Sequence, residues 1–184
     1  MTAKITADAT GTKVNIGNAA EDALQIDSTA KTIKALAPYA LEGNEPVPAF
    51  RAKRSSDLAL TSASWTVVPF PTEELDTDNW YDPTTGKFTP QKAGWYQFNA
   101  QVAINGTSVT IIGVAVWKNG STSEGGTYRA GSASTGGQIA NATGLAYLNG
   151  TTDYISAHVL VTGTSPKVEG TLASLFSAFL VRTP

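Results

Sequence analysis

The chain has 184 residues, 41% of them hydrophobic and only 15% charged, with a formal net charge of −2 and no cysteine. That length holds one sizeable core plus an appendage, not two full domains. A near-neutral charge without basic runs gives no electrostatic basis for nucleic-acid binding, and the lack of cysteine excludes disulfides and thiolate metal sites.

With charge this sparse, the surface must be dressed largely with Thr, Ser, Asn, Gln and Gly, as is common in fibrous, adhesive and virion-exposed proteins. No stretch approaches transmembrane length, so membrane insertion is not expected. Met1 to Thr6 carries a lysine but no apolar run behind it, so it does not read as a secretory signal. The expected product therefore stays in the cytosol unless lysis releases it or the sequence is a mature fragment.

Residues 1–45 read as a stem. Lys13-Val14-Asn15-Ile16, Leu24-Gln25-Ile26-Asp27 and Thr32-Ile33-Lys34 alternate as short strands, separated by turn residues at Gly11, Gly17-Asn18 and Ser28-Thr29. Thr29 to Leu41 carries a rival helical spacing (Ile33, Leu36, Ala37, Ala40, Leu41), which Pro38 interrupts. Either way the segment has too few large apolar residues to fold alone, so it is expected to pack on copies of itself or on a larger assembly. Gly43 to Pro48 is a linker by composition.

Residues 46–184 hold all four tryptophans and read as a head built of strands. Trp65 to Phe70 is β-branched and aromatic. In Trp95 to Ile104, Tyr96, Phe98, Ala100, Val102 and Ile104 share one face while Gln97, Asn99 and Gln101 take the other, a half-buried strand. Further strands are expected at Thr110–Lys118, Gly137–Leu148, Asp153–Val161 and Leu172–Val181. Asn105-Gly106, Asn119-Gly120 and Asn149-Gly150 follow strands directly and supply the positive φ of hairpin turns. Many strands, regular turns and no helical pattern argue for a sandwich or jelly roll.

Catalytic constellations are missing: there is no serine elbow, zinc-binding His pair or phosphate loop. The single histidine, His158, falls opposite the Ile155/Val159 core row and reads as a surface or interface residue. Gly125-Gly126 and Gly131 to Gly137 read as a mobile loop. The run Glu73-Glu74-Leu75-Asp76-Thr77-Asp78 is the one cluster with the oxygen density calcium wants, with Asp76 and Asp78 as candidate ligands; it lacks a recognised loop spacing, and a solvated loop is preferred. Asp82 is expected to cap the turn at Pro83 to Gly86. Asn-X-Ser/Thr sequons occur at Asn105, Asn119, Asn141 and Asn149, three of them already explained as turns. Trp80, Tyr81 and Tyr128 fall in or beside loops, where an aromatic either serves recognition or packs under the loop. Tyr96, Phe98, Phe176 and Phe179 are assigned to the core or to subunit contacts.

The segment Trp80-Tyr81-Asp82-Pro83-Thr84-Thr85-Gly86-Lys87-Phe88-Thr89-Pro90, followed by Gly94-Trp95-Tyr96-Gln97-Phe98, resembles the signature of the complement one-q globular-head family. Val116 to Gly120, Leu148 to Ile155 and Leu175 to Leu180 resemble later landmarks of that family in the same order, with Ala178 in place of its usual glycine. The resemblance covers about residues 48–183. It implies a ten-stranded jelly roll related to tumour necrosis factor, a compact homotrimer, and binding of protein or glycan ligands through surface loops without catalysis. The stem texture Ala19 to Asp27 resembles virion-attachment segments of bacteriophage fibres.

The expectation is thus an all-β, homotrimeric phage structural protein. Its stem would hold other virion proteins and its head would bind a host-surface glycan or protein, with no cofactor needed. The alternative is a secreted, extracellular bacterial or animal binding module of the same head family. A glycan-cleaving fibre enzyme is disfavoured, because the acidic residues cluster in one short run rather than facing each other across a groove.

Overall fold

A computed structural model describes residues 4–7, 13–17, 22–27, 32–35, 47–170 and 174–184, with side chains from residue 47 onward. Contacts divide the chain into two units, Met1–Pro46 and Val47–Pro184.

In the first unit, β1 (Lys4–Ala7), β2 (Lys13–Gly17), β3 (Asp22–Asp27) and β4 (Thr32–Ala35) pair antiparallel in chain order. Register sets Ile16 opposite both Ile5 and Leu24, and Ile26 opposite both Val14 and Ile33. The aliphatic residues of successive strands thus fall at matched positions, which is how an alternating pattern specifies register. The rival helix fails where it is described, since Thr32–Ala35 is a strand; its remainder lies outside the described residues.

The head begins with β5 (Ala49–Lys53), then the short β6 (Leu58–Ala59), β7 (Thr66–Val67), β8 (Thr72–Asp76), β9 (Tyr81–Asp82) and β10 (Lys87–Phe88). Five long strands follow: β11 (Gly94–Lys118), β12 (Thr122–Ser134), β13 (Gln138–Leu148), β14 (Ile155–Val168) and β15 (Leu175–Arg182). The first half of β11 lies between β15 and β13, and its second half between β14 and β12. One long strand therefore serves two sheets. The first runs β8-β5-β15-β11-β13; the second has β12, β11 and β14 at its centre, with β6, β7 and β10 along the outer edge of β14. A single core draws on both, including Phe50, Tyr96, Phe98 and Phe176 from the first sheet and Val114, Val116, Ile155 and Val159 from the second. This is the all-β jelly roll that the alternation and the turn spacing imply.

The three Asn-Gly pairs do three different things. Asn119 and Gly120 both adopt positive φ (53° and 71°), and the Ser121 N–H donates to the Lys118 carbonyl at 3.2 Å, so this pair makes the tight hairpin expected of it. Asn105 and Gly106 make no turn. They lie within β11 where it passes between sheets, and the left-handed residue nearby is Ser108. A Cβ on Gly106 would stand 3.3 Å from the Pro166 Cα, so the glycine answers a close backbone approach. Asn149-Gly150 joins β13 to β14, which belong to different sheets, so it is a crossover and not a hairpin. The Asn149 Oδ1 accepts the N–H groups of Thr151, Thr152 and Asp153 at 2.9–3.0 Å and holds that loop shut.

Two loop readings are also corrected. Gly125 and Gly126 lie inside β12, packed against neighbouring backbone: a Cβ on either would stand 2.5 Å from a carbonyl oxygen, that of Thr143 or of Val114. Much of the acidic run Glu73 to Asp78 is edge strand β8, where Glu74 pairs with Arg51 and, at 2.6 Å, with Lys53 of β5. Asp82 does cap its turn: its carboxylate accepts the N–H groups of Thr84 (2.8 Å) and Thr85 (3.3 Å) ahead of Gly86 at φ 71°.

Candidate assembly and binding surfaces

Of the four residues assigned to core or subunit contacts, three are core. Tyr96, Phe98 and Phe176 are fully buried. The Tyr96 hydroxyl donates to the Lys92 carbonyl at 2.8 Å, and burial pushes it up to about 12. Phe98 reaches β13 and β12, where a Cβ on Gly144 would stand 2.7 Å from its ring. Phe179 differs. It is 49% exposed and points away from the core, because its neighbours Ala178 and Phe176 already take the inner face of β15.

Phe179 has company that sequence reasoning missed. In the register of the first sheet, Gln97 stands opposite Phe179 on one side and Leu145 on the other, and Trp95 stands opposite Tyr147. The Trp95 and Tyr147 rings meet edge-on with centroids 5.7 Å apart. Ile139 extends the same outward face along β13, and all five apolar side chains are substantially exposed. A sheet with apolar residues on both faces has one face without a partner among the described residues of the head. The signal was present as Ile139, Leu145 and Tyr147 at alternate positions to the buried Ala140, Ala142, Ala146 and Leu148. It became readable only when pairing set them beside Phe179 and Trp95.

The ligand candidates separate in the same way. Tyr81 is core, not a recognition residue: it is 4% exposed, stacks on Phe50 at 4.7 Å, and its hydroxyl accepts the Phe70 N–H at 2.9 Å. Burial pushes its ionisation well above the ordinary phenol range. Trp80 is half-buried against the core and borders a cleft of about 490 Å3 with Asn79, Thr89, Gln91, Gly150 and Thr151, an aromatic edge among amides and hydroxyls. Tyr128 is 61% exposed, on strand β12 rather than on a loop.

His158 projects outward from β14 as the alternation implies, but it is half-covered: its ring stacks on Trp117 with centroids 4.1 Å apart, and the Ser156 Oγ lies 3.0 Å from Nε2. Desolvation holds its pKa down to about 4, so the ring is neutral near pH 7. Ser156 is itself buried, and no carboxylate among the described residues hydrogen-bonds the ring, so the pair lacks the orienting third group of a nucleophilic triad.

The calcium candidates bind their own loop. The Asp76 carboxylate accepts the N–H of Tyr81 at 2.8 Å and that of Asp78 at 3.4 Å, while Asp78 accepts the Thr77 hydroxyl at 2.6 Å. Among the described residues no three His, Cys, Asp or Glu side chains are gathered for a metal ion.

Comparison with known proteins agrees with this architecture. No curated protein sequence matches the chain. Among solved structures, it is similar to the globular domain of zebrafish complement 1qA protein (15% identity, TM-score 0.56, covering 76% of this chain and 100% of that one). It is similar also to murine APRIL (12%, 0.56, 74% and 100%) and to the Eiger TNF of S. frugiperda (10%, 0.56, 76% and 96%). At these identities the likeness is one of fold. Domains of the C1q and TNF type are trimeric binding modules, in general without enzymatic activity. The family model described as "C1q domain" matches residues 49–181, most of the chain including the whole Trp80 to Phe98 signature, and the protein belongs to the C1q domain family.

Proposed function

We propose that this protein is a non-enzymatic virion component of a bacteriophage, a tail or head appendage whose C1q-type head forms a homotrimer and engages a host-surface ligand. The observation that carries the reading is the exposed apolar face of the first sheet, Trp95, Ile139, Leu145, Tyr147 and Phe179, which no other described residue of the head covers. A monomer that left these rings in water would expose a patch of the kind that marks an interface. Closing three copies on that face would also supply the stability that a disulfide-free domain needs.

The virion context is supported by the four short strands that precede the head and by the sparse charge of the whole chain. The stem is the part expected to hold other virion proteins. Threefold symmetry then gives the mechanism. Three weak sites held on one rigid head raise the effective concentration of the second and third contacts, so avidity arises without new contacts. The Trp80 cleft is one candidate for each site.

Antibody raised against the chain, gold-labelled and applied to phage particles encoding it, tests the context by electron microscopy. Gold at the tail or head appendages is expected. Gold absent from purified particles, with the protein in the soluble fraction, would overturn the virion assignment.

A further inference from the structure

The second sheet carries an aromatic surface on its outer side, away from the core and separate from the proposed assembly face. On this face Gly113 and Ala115 of β11 lie in register with Tyr128 and Gly126 of β12. The Trp65 indole reaches across from the segment before β7, and a Cβ on Gly113 would stand 2.7 Å from that ring and 3.3 Å from the Tyr128 ring. The missing side chain at residue 113 is thus what lets two aromatic rings lie down on the sheet. Trp65 is held in turn by Trp117, with centroids 5.4 Å apart, and Trp117 by the stacked His158. The rings are braced as a series, yet Trp65 stays 36% exposed and Tyr128 61% exposed.

Between them is a shallow groove of about 230 Å3, floored by Ala115 and Gly126 and rimmed by the hydroxyl-bearing Ser123 and Thr127. A Cβ on Gly126 would stand 3.0 Å from that of Ala115, so the floor is kept low by the absence of side chains. No side chain lining the groove is charged at neutral pH. The groove is also small. Its few lining residues fall far short of the roughly 20–30 a side that a stable protein interface takes, which disfavours a macromolecular partner here.

We propose that this groove binds a neutral saccharide, the apolar face of one pyranose ring lying against Tyr128 and Trp65 while its hydroxyls meet Ser123 and Thr127. Each ligand feature has its counterpart: an aromatic face for the C–H face of the sugar, small residues so that the ring can approach, hydroxyls for hydroxyls, and no charge to attract an acidic glycan in preference. The inference deepens the reading of the head as a receptor-binding module, and it places the site on the outer sheet, apart from both the assembly face and the Trp80 cleft.

The test uses the full chain on a printed array of neutral and sialylated oligosaccharides, followed by fluorescence titration of the best-bound neutral oligosaccharide. A neutral glycan is expected to bind, and Tyr128→Ala is expected to weaken it by about tenfold or more. Tyr128→Phe should retain most of the affinity. Thermal melting should be the same in both Tyr128 variants as in the parent chain, since Tyr128 projects into solvent. Binding confined to sialylated glycans, no binding on the array, or affinity unchanged in Tyr128→Ala would overturn the groove assignment. Adsorption of the chain to host cells, measured in parallel, separates the two ideas. Adsorption that survives Tyr128→Ala refutes the groove and leaves the receptor-binding reading standing, whereas array binding without adsorption supports the groove and counts against the host role.

Discussion

Replacing Phe179 by serine should loosen the proposed trimer without unfolding the head. The residue is 49% exposed, and an aromatic side chain of its size presents ~200 Å2, so about 100 Å2 of ring per protomer stands in water until the sheet face is covered. At ~25 cal/mol per Å2 that burial contributes about 2.5 kcal/mol per protomer, or roughly 7 kcal/mol per trimer. Such a loss changes the trimer association constant by about five powers of ten. Because three chains must meet, the concentration at half-dissociation follows the square root of the dissociation constant and should rise by roughly 300-fold. Sedimentation velocity over a dilution series reads that midpoint directly, and thermal melting of the diluted protein checks that the monomer still folds. A midpoint within a fewfold of the parent chain, in a variant that melts normally, would show that this face is not the one that assembles.

Two further outcomes follow from the buried polar groups. His158 has its folded pKa held down to about 4 against an ordinary 6.5, so its contribution to stability is complete above pH 6.5 and is lost as pH falls toward 4. Discounted for a ring that is only half-covered, the loss is about 1–2 kcal/mol, and His158→Gln should flatten urea-denaturation midpoints across that window. The lowered carboxylates, such as Asp82 and Asp153, fail only at still lower pH, since each begins to lose its contribution near the ordinary 3.8. Parallel profiles for parent and variant would remove His158 as the cause. Tyr81→Phe deletes the hydroxyl that accepts the buried Phe70 N–H and should cost about 1–3 kcal/mol in the same assay, although both side chains fill the space equally. A variant as stable as the parent would mean that this N–H is satisfied in another way.

The features legible in the sequence were those decided by neighbours in the chain. The inner row Tyr96, Phe98, Ala100 and Val102 shows its period of two without help, and Asn119-Gly120 makes the turn its two positive φ angles allow. The Trp80 to Phe98 signature carried the family. What stayed hidden depends on register between distant strands. Asn105-Gly106 has the same letters as Asn119-Gly120, yet the pairing of β14 alongside β11 keeps it extended. Gly125 and Gly126 of β12 look like a mobile loop until Thr143 and Val114 are seen to press on their backbone. Tyr81 sits two positions from an exposed loop residue, Asn79, and its burial is settled by Phe50, some thirty residues earlier in the chain. The same holds for both proposed surfaces. Phe179 meets Leu145 and Tyr147 only across β11, and Trp65 finds its seat only because Gly113 is bare.

The proposed closure of the head into a trimer is tested most directly by the mass of the full chain in solution. Light scattering coupled to size exclusion at micromolar concentration should return three times the 19.2 kDa chain mass. It should hold that value on dilution until the midpoint set by the exposed sheet face is reached. A stable particle with the mass of one chain at micromolar concentration would contradict the account, and the apolar face of the first sheet would then need another explanation.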